Sequence, residues 1–370
     1  MVFLDFLRAA AILLVLWDHL VAQWLGQDHR SWLPLVQVNR FVTGPFALIQ
    51  DLGWLGVSLF FLISGYIVTR VAAVETMRAF AVRRLLRIYP PLVFAVLVGV
   101  AVIALRRGLH IPDTALQAVP PPARTGDALW SVTLLNWLRW PHPVVLGVTW
   151  TLVIEMIFYL LTFLGHPLLR RGALATWANL AVIALILGTA KLHGTSYFLF
   201  AVSASYVPLL LCGQICWLAH SRRIRMPHAL LLTALAWIEF VVGLERIQPA
   251  FLTAGNSYGV SFLAAAALFL LALLRADRWR GRRLARTIAE RSYSLYLLHA
   301  PVALLVLDRL AGRVGYTVAL VAAVLALAVA TEASYRWVEL TAQRLARRLT
   351  RSGRRAAARV RPVRAPEPAG

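Results

Sequence analysis

Long apolar runs separated by short polar, arginine-rich segments follow one another along almost the whole chain. Most runs approach the ~20 residues that a helix needs to cross a bilayer. This pattern predicts an all-α, polytopic transmembrane bundle of about ten spans, at 3–25, 52–70, 89–106, 146–168, 173–190, 197–219, 228–245, 254–274, 293–310 and 315–339. The segment LWSVTLLNWLRW, after a Pro-rich stretch, is too short to span and predicts an interfacial or re-entrant helix.

The composition supports a membrane protein, since 60% of residues are hydrophobic, 15% are charged and the mean hydropathy is +0.71. In a soluble protein, a formal charge of +22 would favour nucleic-acid binding. Here the arginines lie between apolar runs and most fall on alternate connections, so the positive-inside rule explains them without nucleic acid. We therefore expect both termini in the cytoplasm, membrane lipid as the surroundings, and a multi-pass protein of the cell inner (plasma) membrane.

The first apolar run contains two ionisable residues, Arg8 and His19, eleven residues apart. In a regular helix this spacing is close to three turns, which puts both side chains on one wall about 16 Å apart. An ionisable group near mid-membrane costs roughly 2.5–3.5 kcal/mol and is tolerated mainly toward a bundle interior or a wet cavity. The spacing therefore indicates a polar chamber lined by the first helix.

Glu155 lies at the centre of another apolar run, WTLVIEMIFYLL, between Trp150 and Tyr159. A carboxylate in such a place pairs with Arg8, orients His19 or exchanges a proton. His299 precedes Pro301 in a later run, so it either lines the cleft or satisfies backbone carbonyls that the proline leaves free.

Arg83, Arg84 and Arg87 form a basic cluster in RRLLRIYP, just before the third span. The cluster either sets topology alone or, through Arg84 and Arg87 on one helical face, clasps the phosphates of a cytosolic donor. Arg336 is expected to pair with both Glu332 and Glu339 near the end of the last span. The two cysteines, Cys212 and Cys216, fit packed hydrophobic positions, and we expect no metal site.

Two domains are expected: a transmembrane domain over 1–342 and a basic, disordered cytoplasmic tail over 343–370, rich in Arg, Ala and Pro.

Six segments taken together resemble the bacterial acyltransferase 3 family of integral membrane O-acyltransferases, in order and approximate spacing: LDFLRAAAILLVLWDHL, GVSLFFLISGYIV, RRLLRIYPP, WTLVIEMIFYLL, RSYSLYLLHAPV and ASYRWVE. The resemblance covers about residues 3 to 340. Thr151 replaces the serine usual before the glutamate, and Leu340 and Thr341 stand where a proline commonly follows ASYRWVE.

The resemblance implies an enzyme that moves an acyl group, expected to be acetyl, from cytosolic acyl-CoA to a hydroxyl of a surface glycan, lipid-linked sugar or secondary metabolite. By motif, His19 is the expected catalytic residue, with Arg8 and Glu155 beside it, acting as a general base or carrying the acyl group. The cytoplasmic arginines correspond to the donor site, and we expect contacts to substrate from Trp150, Tyr159, Asn136 and His299. The alternative is a transporter or flippase that uses the buried Arg, His and Glu as a proton relay.

Overall fold

The computed structural model describes residues 1–27, 29–48, 52–109, 125–140, 144–169, 171–248, 258–276 and 283–359, with side chains up to Thr350 in the last range. All regular structure in this part of the chain is helical. The helices of the first half are α1 (Val2–Trp17), α2 (Trp24–Gln27), α3 (Leu33–Val38), α4 (Gly53–Ala72), α5 (Met77–Gly108), α6 (Thr125–Thr133), α7 (Trp150–Leu164) and α8 (His166–Leu169). Those of the second half are α9 (Leu174–Thr189), α10 (Gly194–Ala204), α11 (Val207–His220), α12 (Met226–Ile247), α13 (Tyr258–Leu274), α14 (Arg283–Leu298), α15 (Leu305–Val314), α16 (Tyr316–Ala333) and α17 (Leu340–Arg359).

Seven helical stretches within the described ranges are long and apolar enough to cross a membrane: Gly53–Ala72, Met77–Gly108, Gly147–Leu164, Gly194–His220, Met226–Ile247, Arg283–Val314 and Tyr316–Thr350. The apolar helices α9 and α13 are shorter, and the first predicted span contains three charged residues. The predicted interfacial segment forms the short α6 followed by a 3₁₀ turn, Leu135–Leu138. The chain is therefore an all-helical bundle with seven candidate spans, where the sequence predicts about ten.

Helix α4 lies at the centre of the bundle and packs against α1, α11 and α13. Glycines make the crossing of α4 and α11 possible, because a Cβ added at Gly65 would lie 1.9 Å from the Leu210 carbonyl oxygen. A Cβ added at Gly213 would lie 2.2 Å from the Leu62 carbonyl oxygen. Small residues at such crossings let two backbones approach closely, and here they fix the position of α4.

Several helices continue through π-helical segments, which contain one extra residue per turn and often occur at functional sites. Asp18–Gln23 joins α1 to α2, and His299–Leu304 joins α14 to α15. Ser334–Glu339 joins α16 to α17 in the same way. One of these segments begins one residue before His19 and another begins at His299. The helix periodicity therefore changes at both of the histidines that the sequence singles out.

A buried ion pair connects the C-terminal end of α5 to α15. Arg106 Nη1 lies 2.7 Å from Asp308 Oδ2, and the two side chains are 1% and 9% exposed. The indole Nε1 of Trp24 donates to the other carboxylate oxygen at 2.8 Å. This cluster fixes three separate elements to one another.

The last helix, α17, corrects the expectation of a disordered tail from residue 343. The stretch is rich in Leu, Ala and Arg, which are strong helix formers. Ala342, Ala346 and Thr350, four residues apart, are buried on the face that packs against α5. Helical structure therefore extends to Arg359, and residues 360–370 of the expected tail lie outside the described residues.

The predicted ion pairs near the last span form in part. Arg336 pairs with Glu332 at 2.5 Å, and Arg291 of α14 pairs with the same carboxylate at 2.5 Å. Glu339 is 2% exposed and accepts hydrogen bonds from Ser294 and Gln343 instead. The π-helical segment places Glu339 and Arg336 on different faces. The seven-residue spacing of Glu332 and Glu339 predicts one shared face only for a regular α-helix.

Candidate active site

Five helices, α1, α4, α5, α7 and α14, line a cavity of about 90 Å³. Its apolar lining includes Phe60, Phe61 and Ile63 of α4. The polar side chains come from all five helices: Arg8, Ser64, Arg87, Thr151, Glu155, Ser292, Tyr293 and Tyr296. Arg8 and Glu155, 147 positions apart in the sequence, thus line the same chamber.

Two hydroxyl groups hold the Glu155 carboxylate. Ser64 Oγ donates to Glu155 Oε1 at 2.8 Å, and Tyr159 OH donates to the same oxygen at 2.6 Å. Tyr159 is four residues after Glu155 on α7, so one helical turn brings the two side chains together. The carboxylate is therefore oriented by neutral donors from α4 and α7.

The guanidinium groups of Arg8 and Arg87 line the cavity from different helices. Within the described part of the chain, neither group has a carboxylate partner within salt-bridge distance. Arg84 lies over the rings of Phe80 and Tyr159, 5.8 Å from each centroid, and its Nε is buried without a hydrogen-bond partner there. The side of the cavity near α5 is therefore rich in positive charge, and among the described residues no carboxylate lies within salt-bridge distance of Arg8 or Arg87.

Arg83 does not belong to this cationic group. It forms an ion pair with Glu75, and its Nε and Nη2 donate to Thr350 Oγ1 at 3.2 and 3.0 Å. These contacts connect the start of α5 to the loop before it and to α17. Of the three arginines predicted to bind the donor, Arg87 lines the cavity and Arg84 lies over the ring of Tyr159 outside the cavity lining, whereas Arg83 makes interhelical contacts.

His19 lies in the first turn of the π-helical segment after α1 and is half-buried. It does not line the cavity that Arg8 lines. Its Nδ1 is 3.1 Å from Nε2 of His299, and the two ring centroids are 4.8 Å apart. The Nδ1 of His299 is in turn 2.7 Å from the backbone carbonyl oxygen of Tyr296, a residue of the cavity wall.

Two further candidates occupy separate places. Trp150 stacks on Trp54 with an interplanar angle of 8° and touches the ring of Tyr206, so it belongs to an aromatic cluster. Asn136 is 0% exposed, and neither atom of its amide has a hydrogen-bond partner in the described structure. Neither side chain lines the cavity.

Sequence reasoning did not single out several residues of the wall. Ser64 is a polar residue in the middle of an apolar run. Such a residue is expected to have a hydrogen-bond partner on another helix, and here that partner is Glu155. Ser292 and Tyr296, with His299 three residues later, occupy one face of α14 and its continuation. Tyr296 OH donates to the Val148 carbonyl at 2.9 Å and contacts Thr151 Oγ1 at 2.8 Å, so Thr151 has a defined hydrogen-bonding role.

The arrangement offers a carboxylate, two guanidinium groups and a histidine pair, which are groups suited to acid–base chemistry and to binding an anionic or polarised ligand. Among the described residues, no group of three or more His, Cys, Asp or Glu side chains is placed to hold a metal ion.

The chain matches curated relatives over most of its length. It is 26% identical over 369 residues to O-acetyltransferase OatA of Staphylococcus aureus strain NCTC 8325 / PS 47, an alignment that covers 91% of this chain. The OatA proteins of strains COL and MRSA252 match with the same figures. The chain spans 56% of the length of these relatives. No solved structure matches it.

The model of the Acyltransferase domain, Acyl_transf_3, matches residues 1–333, which contain every residue of the cavity wall as well as His19 and His299. This match covers most of the 370 residues. The chain therefore belongs to the acyltransferase 3 family.

Proposed function

We propose that the chain is a multi-pass membrane O-acyltransferase of the plasma membrane that transfers an acetyl group from cytosolic acetyl-CoA to a hydroxyl acceptor. The observation that carries the proposal is the pair of guanidinium groups, Arg8 and Arg87, which face one cavity with a carboxylate held by Ser64 and Tyr159. A thioester donor is anionic at its nucleotide end and polar at its carbonyl, and both parts are attracted to fixed positive charge.

Arg84 and Arg87 form the donor side in this proposal. Both belong to the N-terminal third of α5, on the side of the bundle that the distribution of arginines assigns to the cytoplasm. Donor phosphates bind near these arginines, and the pantetheine arm carries the thioester through the cavity toward His19. Arg8 lines that cavity, about 16 Å before His19 along the helix, and its charge attracts the anionic donor as it enters.

His19 acts as the general base on the acceptor hydroxyl. It lies near the end of α1 opposite to Met1, about 22 Å from Leu4 at 1.5 Å per residue, and it is half-buried. The acceptor oxygen forms a bond to the acyl carbon while the carbon–sulfur bond breaks. The hydroxyl proton passes to His19 and then to the thiolate sulfur, which leaves as CoA.

The acyl group we propose is acetyl, because the similar OatA proteins are named O-acetyltransferases. The acceptor class we propose is a hydroxyl of a cell-surface glycan, a lipid-linked sugar or a secondary metabolite.

The decisive experiment measures release of free CoA from labelled acetyl-CoA by the purified protein in nanodiscs, together with transfer of label to a hydroxyl-bearing acceptor pool. Membrane extracts that contain the native glycans and lipid-linked sugars supply the acceptors. We expect wild-type protein to consume acetyl-CoA in an acceptor-dependent manner and the His19→Ala and Glu155→Gln variants to lose this activity. Arg107→Ala is the matched control, because Arg107 is exposed at the far end of α5.

The same experiment separates the enzyme from a transporter or flippase. A transporter that uses Arg8, His19 and Glu155 as a proton relay moves its substrate without consuming acetyl-CoA. Folded wild-type protein that releases no CoA with any acceptor pool would contradict the proposed function.

A further inference from the structure

We propose that His299 is a positioning residue that holds His19 in the tautomer with its proton on Nδ1, so that Nε2 of His19 is the free base. The role of His19 in acyl transfer rests on the proposed function above. The tautomer itself rests only on the hydrogen bonds between these residues.

The two imidazoles differ in accessibility. His299 is 0% exposed, whereas His19 is half-buried. A fully enclosed ring that touches His19 lies behind it and out of reach of a substrate. This burial argues against the expectation that His299 contacts the acceptor and in favour of a role exerted through His19.

The proton position on His299 follows from its contact with a backbone carbonyl. His299 Nδ1 lies 2.7 Å from the Tyr296 oxygen. Because a carbonyl oxygen only accepts, the hydrogen of neutral His299 is on Nδ1.

The proton position on His299 determines the proton position on His19. With its hydrogen on Nδ1, neutral His299 presents a lone pair at Nε2, which must accept the hydrogen bond in the 3.1 Å contact. The donor in that contact is therefore Nδ1–H of His19. The hydrogen bond made by one ring nitrogen of a histidine decides the state of the other, so Nε2 of His19 keeps its lone pair.

The chain of hydrogen bonds thus runs from the Tyr296 carbonyl through His299 to His19 and contains no carboxylate. When His19 Nε2 takes the proton of the acceptor hydroxyl, its Nδ1–H remains bonded to a neutral partner. No negative charge adjoins the imidazolium through this contact, so the proton on Nε2 passes on readily to the departing thiolate. The proton lost by the hydroxyl ends on the sulfur of CoA, and His19 returns to the same tautomer.

The direct test is nitrogen NMR of histidine-labelled, full-length protein in nanodiscs, which distinguishes protonated from unprotonated ring nitrogens. The chain has nine histidines, and the His19 signals are identified by their loss in a His19→Gln variant. We expect wild-type His19 to be protonated at Nδ1 and not at Nε2, and a large part of that population to shift to Nε2–H in His299→Leu. Wild-type His19 with its proton on Nε2 would overturn the proposal, whether or not the protein is active.

A kinetic test uses two replacements of His299. Glutamine places an oxygen near the position of Nε2 and still accepts from His19, whereas leucine cannot. If the proposed function holds, His299→Leu lowers kcat about 10- to 100-fold, the usual cost of losing a partner that orients a functional histidine, with KM for acetyl-CoA near wild type. His299→Gln is expected to keep most of kcat. Equal losses in folded samples of the two variants would contradict the positioning role.

The exposed His193→Leu variant is the matched control and is expected to keep the wild-type kcat, because His193 packs against Tyr197 and neither residue lines the cavity. If neither the wild type nor any variant is active, the proposed function is contradicted. The NMR result would still decide the tautomer of His19.

Discussion

Ser64 of α4 donates a hydrogen bond of 2.8 Å to the Glu155 carboxylate of α7, joining two helices that are 91 residues apart in sequence. The same carboxylate oxygen accepts from Tyr159. Glu155 is therefore held from two directions by groups that carry no charge. Its orientation in the cavity depends on the packing of α4 as much as on its own helix.

Replacing Ser64 with alanine is expected to lower the rate of acyl transfer about ten-fold or more, because a hydrogen bond to a charged group is worth roughly 1.5–3 kcal/mol. The remaining hydrogen bond from Tyr159 keeps Glu155 in the cavity, but one donor and not two then orients the carboxylate. The measurement is kcat for CoA release by purified Ser64→Ala in nanodiscs.

Ser58 provides the control on the same helix. It is 0% exposed, and its Oγ has no hydrogen-bond partner in the described structure. Ser58→Ala should therefore leave kcat unchanged and stability equal or slightly raised. A loss of rate in Ser58→Ala as large as that in Ser64→Ala would mean that the hydroxyl bond to Glu155 is not the cause.

The sequence alone predicts the cavity in part. Charged residues inside apolar runs are expensive in a bilayer, so Arg8 and Glu155 had to face a polar interior, and they line the same chamber. The partner of Glu155 could not be predicted, because Ser64 is one of several small polar residues in apolar runs. Only the packing of α4 against α7 selects it.

The position of His19 shows a second limit. The eleven-residue spacing aligns Arg8 and His19 in direction but also separates them by about 16 Å along the helix, so His19 lies beyond the cavity that Arg8 lines. The π-helical segments that begin at Asp18 and His299 have no reliable sequence signal. His299 does contact a backbone carbonyl, that of Tyr296, and a carbonyl contact was one of the two roles considered for it.

Gly65→Ala is expected to destabilise the bundle. An added Cβ would lie 1.9 Å from the backbone oxygen of Leu210, and a backbone atom cannot turn aside as a flexible side chain does. The two helices must therefore separate, which weakens their packing and displaces the neighbouring Ser64. The midpoint of thermal unfolding, followed by tryptophan fluorescence in detergent, should fall by several degrees.

Gly188→Ala is the matched replacement within a helix, since nothing lies within 4 Å of its added Cβ. Alanine also favours the helix relative to glycine, so this variant should unfold at the wild-type temperature or slightly above. Similar losses of stability in both variants would show that close packing at Gly65 is not responsible.

Breaking the buried pair between Arg106 and Asp308 is expected to be costly. Asp308→Asn leaves Arg106, only 1% exposed, without its charged partner, and removal of one member of a buried pair typically costs about 3–5 kcal/mol. The double variant Arg106→Met, Asp308→Leu removes both charges and should recover much of the loss. Thermal unfolding of the two single variants and the double variant gives the coupling free energy between Arg106 and Asp308.

The more exposed pair of Arg336 and Glu332 serves as the comparison. The Arg336 side chain is 66% exposed, so Arg336→Ala should change stability by at most about 1 kcal/mol. If Asp308→Asn proves as mild as Arg336→Ala, the buried pair does not hold α5 to α15.

Arg87 and Arg83 lie four residues apart on α5 and should give opposite results when each is replaced by alanine. The Arg87 guanidinium faces the cavity without a carboxylate partner in the described part of the chain, so Arg87→Ala is expected to raise KM for acetyl-CoA about ten-fold. Arg83 is engaged by Glu75 and Thr350, so Arg83→Ala should lower thermal stability while KM stays near the wild-type value. Titration of acetyl-CoA in the CoA-release assay, with unfolding measured on the same samples, separates the two effects. An Arg83→Ala variant with raised KM and unchanged stability would return Arg83 to the donor site and would contradict the division of the basic cluster that the structure indicates.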